Sequence, residues 1–243
     1  MQQAFTLEAP LGRRRARLRT LARSCAPTRA ELGLAFASAA LLALSFPDFN
    51  LWPLAWVALA PLALAVLRRG RPAPAFVTGW AAGTVFFYAS CYWLTHAMIH
   101  YGGLPRWLAY SLLAPATVVV GVFPGLWAMT LARASARWGA GRALVLAPVA
   151  WVALEWARLC VTGQLWNALG YSQAYRPELI QAARWGGVYA VGFLAAAVSC
   201  AVAYALVRRS MRATLLSIAA VGCVALVVFL SNSKATTEAR TDA

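Results

Sequence analysis

Residues 187–212 read GVYAVGFLAAAVSCAVAYALVRRSMR. No charge interrupts 187–207, and Arg208, Arg209 and Arg212 then follow in quick succession. An apolar run of this length meets the roughly 20 residues that a helix needs to cross a bilayer core. An arginine cluster at its end marks a cytoplasmic loop. The same unit recurs along the chain, with separable apolar runs at 31–47, 51–67, 74–98, 107–132, 143–161, 187–207 and 213–230. The first two and the last are slightly short, so tilt or interfacial anchoring has to make up the length, and Trp52 and Trp56 suit that role in the second. The pattern predicts an all-α membrane protein, a polytopic bundle of about seven transmembrane helices.

Composition points the same way. Of 243 residues, 62% are hydrophobic and 12% charged, with a mean hydropathy of +0.64. A soluble domain has roughly a quarter of its residues charged, so lipid must cover much of this surface. The net charge of +15 invites a nucleic-acid reading, but its distribution is that of loops rather than of a binding stripe, and no nucleic acid is expected as a partner. Arg13, Arg14, Arg15, Arg17, Arg19, Arg23 and Arg29 precede the first run, Arg68, Arg69 and Arg71 follow the second, Arg133, Arg137 and Arg142 follow the fourth, and Arg208, Arg209 and Arg212 follow the sixth. The other side has Arg106, Arg176, Arg184, Lys234 and Arg240, and Arg158 lies within a span. Alternate loops therefore obey the positive-inside rule, with the N-terminus cytoplasmic and the C-terminus periplasmic.

The expected organisation is a basic cytoplasmic arm (1–30), a seven-helix transmembrane domain (31–230) and a polar, disordered tail (231–243). The arm and first run resemble a secretory signal, but Pro47-Asp48-Phe49-Asn50 turns straight into a second apolar run. A retained helical hairpin is the expected reading. Gly79 and Gly83, and Gly121 and Gly125, form small-x-x-x-small patterns that permit close helix approach, while Pro115 and Pro124 should kink the fourth helix.

The fifth run carries the chemistry. Trp151, Glu155, Arg158 and Thr162 fall on one helical face, and i,i+3 spacing lets the carboxylate and guanidinium pair. Charges within an apolar run are costly unless paired. They either lock the bundle or snorkel to the outer interface, or they line a polar substrate pocket. The expected outer loops supply further candidates: Tyr101, Gly102 and Gly103 after the third run, and Trp166, Tyr171, Ser172 and Gln173 in the long segment between Val161 and Gly187. A connection of that length tends to be functional. His96 and His100 have metal-ligand spacing, but no zinc-protease Glu follows His96 and no third ligand is evident, so no metal is expected. Cys25, Cys91, Cys160, Cys200 and Cys223 are odd in number, far apart and mostly within apolar runs, which favours free thiols.

An ordered series of motifs then emerges: Leu44-Ser45-Phe46-Pro47 with Leu51-Trp52-Pro53, Tyr101-Gly102-Gly103-Leu104-Pro105, Ala147-Pro148 with Trp151, Glu155 and Arg158, Thr162-Gly163 with Trp166, and Gly170-Tyr171-Ser172-Gln173. From about residue 30 to 230 this series resembles the N-terminal membrane domain of apolipoprotein N-acyltransferase. Gln164-Leu165 stands where the family usually has Phe-Pro, and Ser199 where an Asn is common. The resemblance implies a bacterial inner-membrane, multi-pass protein of lipoprotein biosynthesis, with phospholipid and lipoprotein as substrates and no cofactor. In that family a Glu-Lys-Cys triad in a nitrilase-like domain after the seventh helix carries the acyl group as a thioester. These residues hold a single lysine, Lys234, and no cysteine with a nearby activating base. No catalytic residue is therefore expected here, and the expected arrangement is a membrane half that works with a separate nitrilase-like subunit and is inactive alone. A non-catalytic lipid-binding or scaffold paralogue is the alternative, followed by a small transporter.

Overall fold

The computed structural model describes residues 26–241, with side chains as far as Ser231. Most of the basic arm, including Cys25, lies outside the described residues. Among those described, the secondary structure is helical throughout, and the chain is an all-α membrane bundle.

Helix α1 (Arg29–Ser45) opens on a reciprocal cap in which Thr28 Oγ1 accepts from the Glu31 amide and Glu31 Oε2 accepts from the Thr28 amide. Glu31 also lies 3.5 Å from Arg69 Nη1, which ties the start of α1 to the end of α2 (Leu59–Arg69). Between these helices Phe46 to Asn50 make a tight turn. The Asn50 amide donates to the Phe46 carbonyl, and Asn50 itself adopts φ +53°. A 3-10 turn at Trp52–Trp56 then leads into α2, so the second apolar run is not one straight helix. The next elements are α3 (Pro72–Ser90), a short α4 (Leu94–His100), α5 (Arg106–Val120), α6 (Val122–Trp138) and α7 (Ala140–Thr162). A long irregular connection with 3-10 turns at Leu169–Gln173 and Gln181–Trp185, and the one-turn α8 (Pro177–Ile180), precedes α9 (Gly187–Arg208) and α10 (Met211–Thr241).

Three boundaries differ from the hydropathy reading. The run 74–98 breaks after Ser90, whose hydroxyl donates back to the Phe86 carbonyl, and the chain continues through i→i−3 bonds from Leu94, Thr95 and His96. Hydroxyl back-bonding and these tighter turns end α3 where hydropathy alone sees no change. His96 and His100 thus lie on α4, their rings stacked at 3.9 Å, and do not end a long span. The fourth run is divided at Gly121, one turn before Pro124, whose missing N–H leaves the Val120 carbonyl without its helical donor. Finally, α10 runs past the apolar boundary at 230 to Thr241, through good helix formers such as Ala235, Glu238 and Ala239.

Helix α2 is enclosed by α1, α3, α6 and α9, and α10 packs on the outside of α9. The two glycine pairs face each other across α3 and α6. A Cβ at Gly79 would lie 2.5 Å from the Pro124 carbonyl oxygen, and one at Gly83 would lie 2.7 Å from Pro124 Cγ. Only hydrogen fits at these points, and the backbones approach accordingly. Five described segments are long and apolar enough to cross a membrane: Trp52–Arg69, Arg106–Trp138, Ala140–Thr162, Gly187–Arg208 and Met211–Ser231. Helix α1 is 17 residues long, and in α3 the Gly, Pro and Thr residues that permit close packing also dilute its hydropathy.

Candidate functional site

The inward face of α7 bears Trp151, Glu155 and Arg158, exposed by only 7%, 6% and 4%. The expected Glu155–Arg158 ion pair is not formed. Each group instead holds backbone of the connection that follows α7. Glu155 Oε1 accepts from the Leu169 amide at 2.8 Å, and Arg158 Nη1 donates to the Trp166 carbonyl at 2.7 Å. The reason is geometric: Gly163 closes α7 in the left-handed conformation at φ +67° and turns the chain back over the helix. Unpaired loop groups then arrive where the two side chains need partners. The Arg158 guanidinium also sits over the Phe87 ring at 5.0 Å, and Trp151 meets Trp127 edge-on at 5.4 Å.

Gln173 is fully buried and secures the far end of the connection. Its Nε2 donates to the Trp52 carbonyl at 3.1 Å, and its Oε1 accepts from Trp56 Nε1 at 3.2 Å. Ser172 is buried, with its hydroxyl donating to the Leu169 carbonyl. Gly170 lies so close to the Val188 carbonyl that no Cβ could be accommodated, which brings this turn against the start of α9. Trp52 and Trp56, read from sequence as interfacial anchors, therefore also staple the loop, and the Arg176 guanidinium covers the Trp52 ring at 5.2 Å. Ser199 donates to the Trp56 carbonyl and accepts from the Leu59 amide, so the hydroxyl satisfies both the end of the 3-10 turn and the start of α2. Neither contact was legible in the sequence, because both partners are more than a hundred residues away in the chain.

Two spaces adjoin this cluster. One of about 20 Å³, between Phe86, Phe87, Phe123, Trp151, Glu155 and Arg158, has room for a single water and no more. Among the described residues Glu155 Oε2 and Trp151 Nε1 are buried and make no protein hydrogen bond of good geometry, and such a water would satisfy groups of this kind. The other, of about 200 Å³, lies between the ends of α3 and α7 and helix α5, and is lined by Phe87, Cys91, Leu94, Leu113, Arg158 and Trp166. Trp166, which lines this space, packs edge-on to Trp93 at 5.5 Å. Apart from the guanidinium its walls are largely apolar.

The structure thus gathers Trp151, Glu155, Arg158, Trp166, Ser172 and Gln173. Tyr171 is on the same connection but half exposed. Tyr101 is 87% exposed on the separate connection between α4 and α5, where Gly103 takes φ +64°, and among the described contacts Tyr101, Gly102 and Gly103 do not touch the cluster. Cys91 is the buried thiol nearest to it. Its sulfur accepts from Asn167 Nδ2 at 3.5 Å, and no base accompanies it among the described residues.

Fold and site together define a polytopic membrane bundle whose buried carboxylate and guanidinium clamp a long loop at one end. The family model for the apolipoprotein N-acyltransferase N-terminal domain matches residues 38–201. Apolipoprotein N-acyltransferase of Geobacter metallireducens is 38% identical over 170 residues, which cover 69% of this chain and 32% of the relative. The protein of that name from Chromobacterium violaceum is 35% identical over 178 residues (72% and 34%), and that from Coxiella burnetii 34% over 168 (68% and 34%). The chain belongs to the apolipoprotein N-acyltransferase N-terminal domain family. The matched region spans about a third of the length of these relatives.

Proposed function

We propose that this chain is the membrane part of an apparatus for N-acyl transfer to lipoproteins, holding phospholipid and lipoprotein at the loop end of the bundle. The observation that carries this reading is the 200 Å³ space, which puts one buried guanidinium and Trp166 against largely apolar walls. Apolar walls suit an acyl chain, and a fixed cation suits the ester or phosphate oxygens to which it is joined. Covalent transfer needs an activated nucleophile with a base and a charge stabiliser. The described residues do not assemble such a centre, and in this reading the chemistry falls to a nitrilase-like component outside them, which we expect as a partner subunit. The connection from Thr162 to Gln173 is the contact or substrate path.

The test is incubation of the purified chain with labelled phospholipid, with and without a cognate nitrilase-like protein and a diacylated lipopeptide. The chain alone should retain lipid and release no label with hydroxylamine, and the partner should restore transfer. Hydroxylamine-sensitive label on the isolated chain would overturn this division of labour and would make Cys160 the first thiol to re-examine.

The proposed setting is the bacterial inner membrane, crossed seven times with the loop end outside. Its support is the partition of basic residues, because the arginine-rich ends of α2, α6 and α9 alternate with the loop-bearing ends. Reporter fusions at Arg69, Arg137 and Arg209 should report cytoplasm, and those at Gly103, Tyr171 and Ala235 periplasm. A cytoplasmic signal at Ala235 would refute the sevenfold count.

A further inference from the structure

A cavity of about 810 Å³ lies away from the loop cluster. It is a groove between α7, α9 and α10, with Leu144 and Val145, Ala197 and Ala201, and Leu216 and Ala220 on its three sides. Its floor is sealed by the Ser217 hydroxyl, which donates to the Ala201 carbonyl at 2.7 Å and leaves no unmet polar group there. Arg142 and Tyr204 stand at one end. Gly141 allows α7 to approach Tyr204 at that point, since a Cβ would already lie 3.3 Å from the ring. Arg208 is one turn beyond Tyr204 and Arg212 one turn before Leu216, so both extend the same end of the groove.

Charge is conspicuously unbalanced here. Arg142, Arg208, Arg209 and Arg212 are exposed and form no ion pair among the described residues. Among the described residues, Glu31, the acid nearest this end of the bundle in topology, is engaged by Arg69. A groove with apolar walls and a cationic rim matches one kind of occupant. We infer that it binds an anionic phospholipid, with acyl chains against α7, α9 and α10 and the phosphate at Arg142 and Tyr204. Basic pockets between transmembrane helices recognise anionic headgroups by this division of polarity. A second transmembrane helix would fill the walls but would leave the rim without a counter-charge. The site is independent of the proposed acyl-transfer role, because Arg142 and Arg158 are separated by about 24 Å along α7.

The experiment is native mass spectrometry of the detergent-purified full chain, titrated with phosphatidylglycerol or phosphatidylcholine. Wild type should retain phosphatidylglycerol selectively. Arg142→Gln should weaken that retention about fivefold, the effect of one cation near a headgroup, and Ala220→Phe should reduce it by filling the groove. Arg106→Gln, which removes an exposed cation at the start of α5 and at the other end of the bundle, should retain the lipid as wild type does. Equal retention of the two lipids by wild type would overturn the proposal without recourse to any variant. Unchanged retention in Ala220→Phe would also overturn it, by showing that rim charge alone attracts the lipid. Recovery of the chain as a dimer with no lipid bound would assign the groove to a second copy instead.

Discussion

Replacing Glu155 with Leu should lower the melting temperature of the purified protein by on the order of 10 °C. The Leu169 amide loses its acceptor, and an unmet buried donor costs about 1–3 kcal/mol. Arg158, one turn along the same buried face, loses the nearest compensating charge. Stranding a buried cation typically costs about 3–5 kcal/mol, and each kcal/mol moves the midpoint of a chain of this size by about 2–4 °C. Glu155→Gln should be milder, because the amide oxygen can still accept from Leu169 while only the charge is lost. Arg158→Gln should free the Trp166 carbonyl and increase protease cleavage between Thr162 and Gln173. Since the two side chains hold separate backbone groups and not each other, the double variant Glu155→Gln, Arg158→Gln should recover only the charge component of the loss. Full recovery to wild-type stability would restore the direct ion pair that the structure excludes. A Glu155→Leu protein as stable as wild type would show that the loop is held elsewhere.

The second large effect lies at the helix contact. Gly79→Leu should abolish accumulation of folded protein, because the Cβ position meets the Pro124 carbonyl at 2.5 Å and the Ala128 Cβ at 2.6 Å. The first of these is backbone and cannot rotate away, so α3 and α6 must separate. Overpacking of a tight core costs about 1–3 kcal/mol when it can relax and more when it cannot. Gly79→Ala should already reduce stability measurably. Gly222→Leu, on the outward part of α10, is the control: nothing lies within 4 Å of its Cβ position, and the variant should accumulate normally. Equal yields of Gly79→Leu and Gly222→Leu, measured by size-exclusion profile in detergent, would show that the α3–α6 approach is not tight in solution.

Much of this could be read from the chain. The apolar runs and their arginine ends announced a helical membrane bundle, because a bilayer admits helices of a set length and penalises charge within them. Gly79, Gly83, Gly121 and Gly125 announced close packing, although not that the two pairs meet each other. Helical periodicity put Trp151, Glu155 and Arg158 on one face, and that face is buried. The motif series named the family that the comparison of residues 38–201 shows.

Tertiary structure alone decided what those buried groups hold. Spacing permitted Glu155 and Arg158 to pair, but periodicity cannot foresee that Gly163 reverses the chain and delivers the Leu169 amide and the Trp166 carbonyl as better-placed partners. It likewise cannot foresee that Gln173 reaches Trp52 and Trp56, or that Ser199 caps α2, because these contacts join points far apart in sequence. Local sequence sets which residues must avoid lipid. Which polar group each of them finds is settled by the fold, since a buried donor or acceptor takes whichever partner the packed chain brings within about 3 Å.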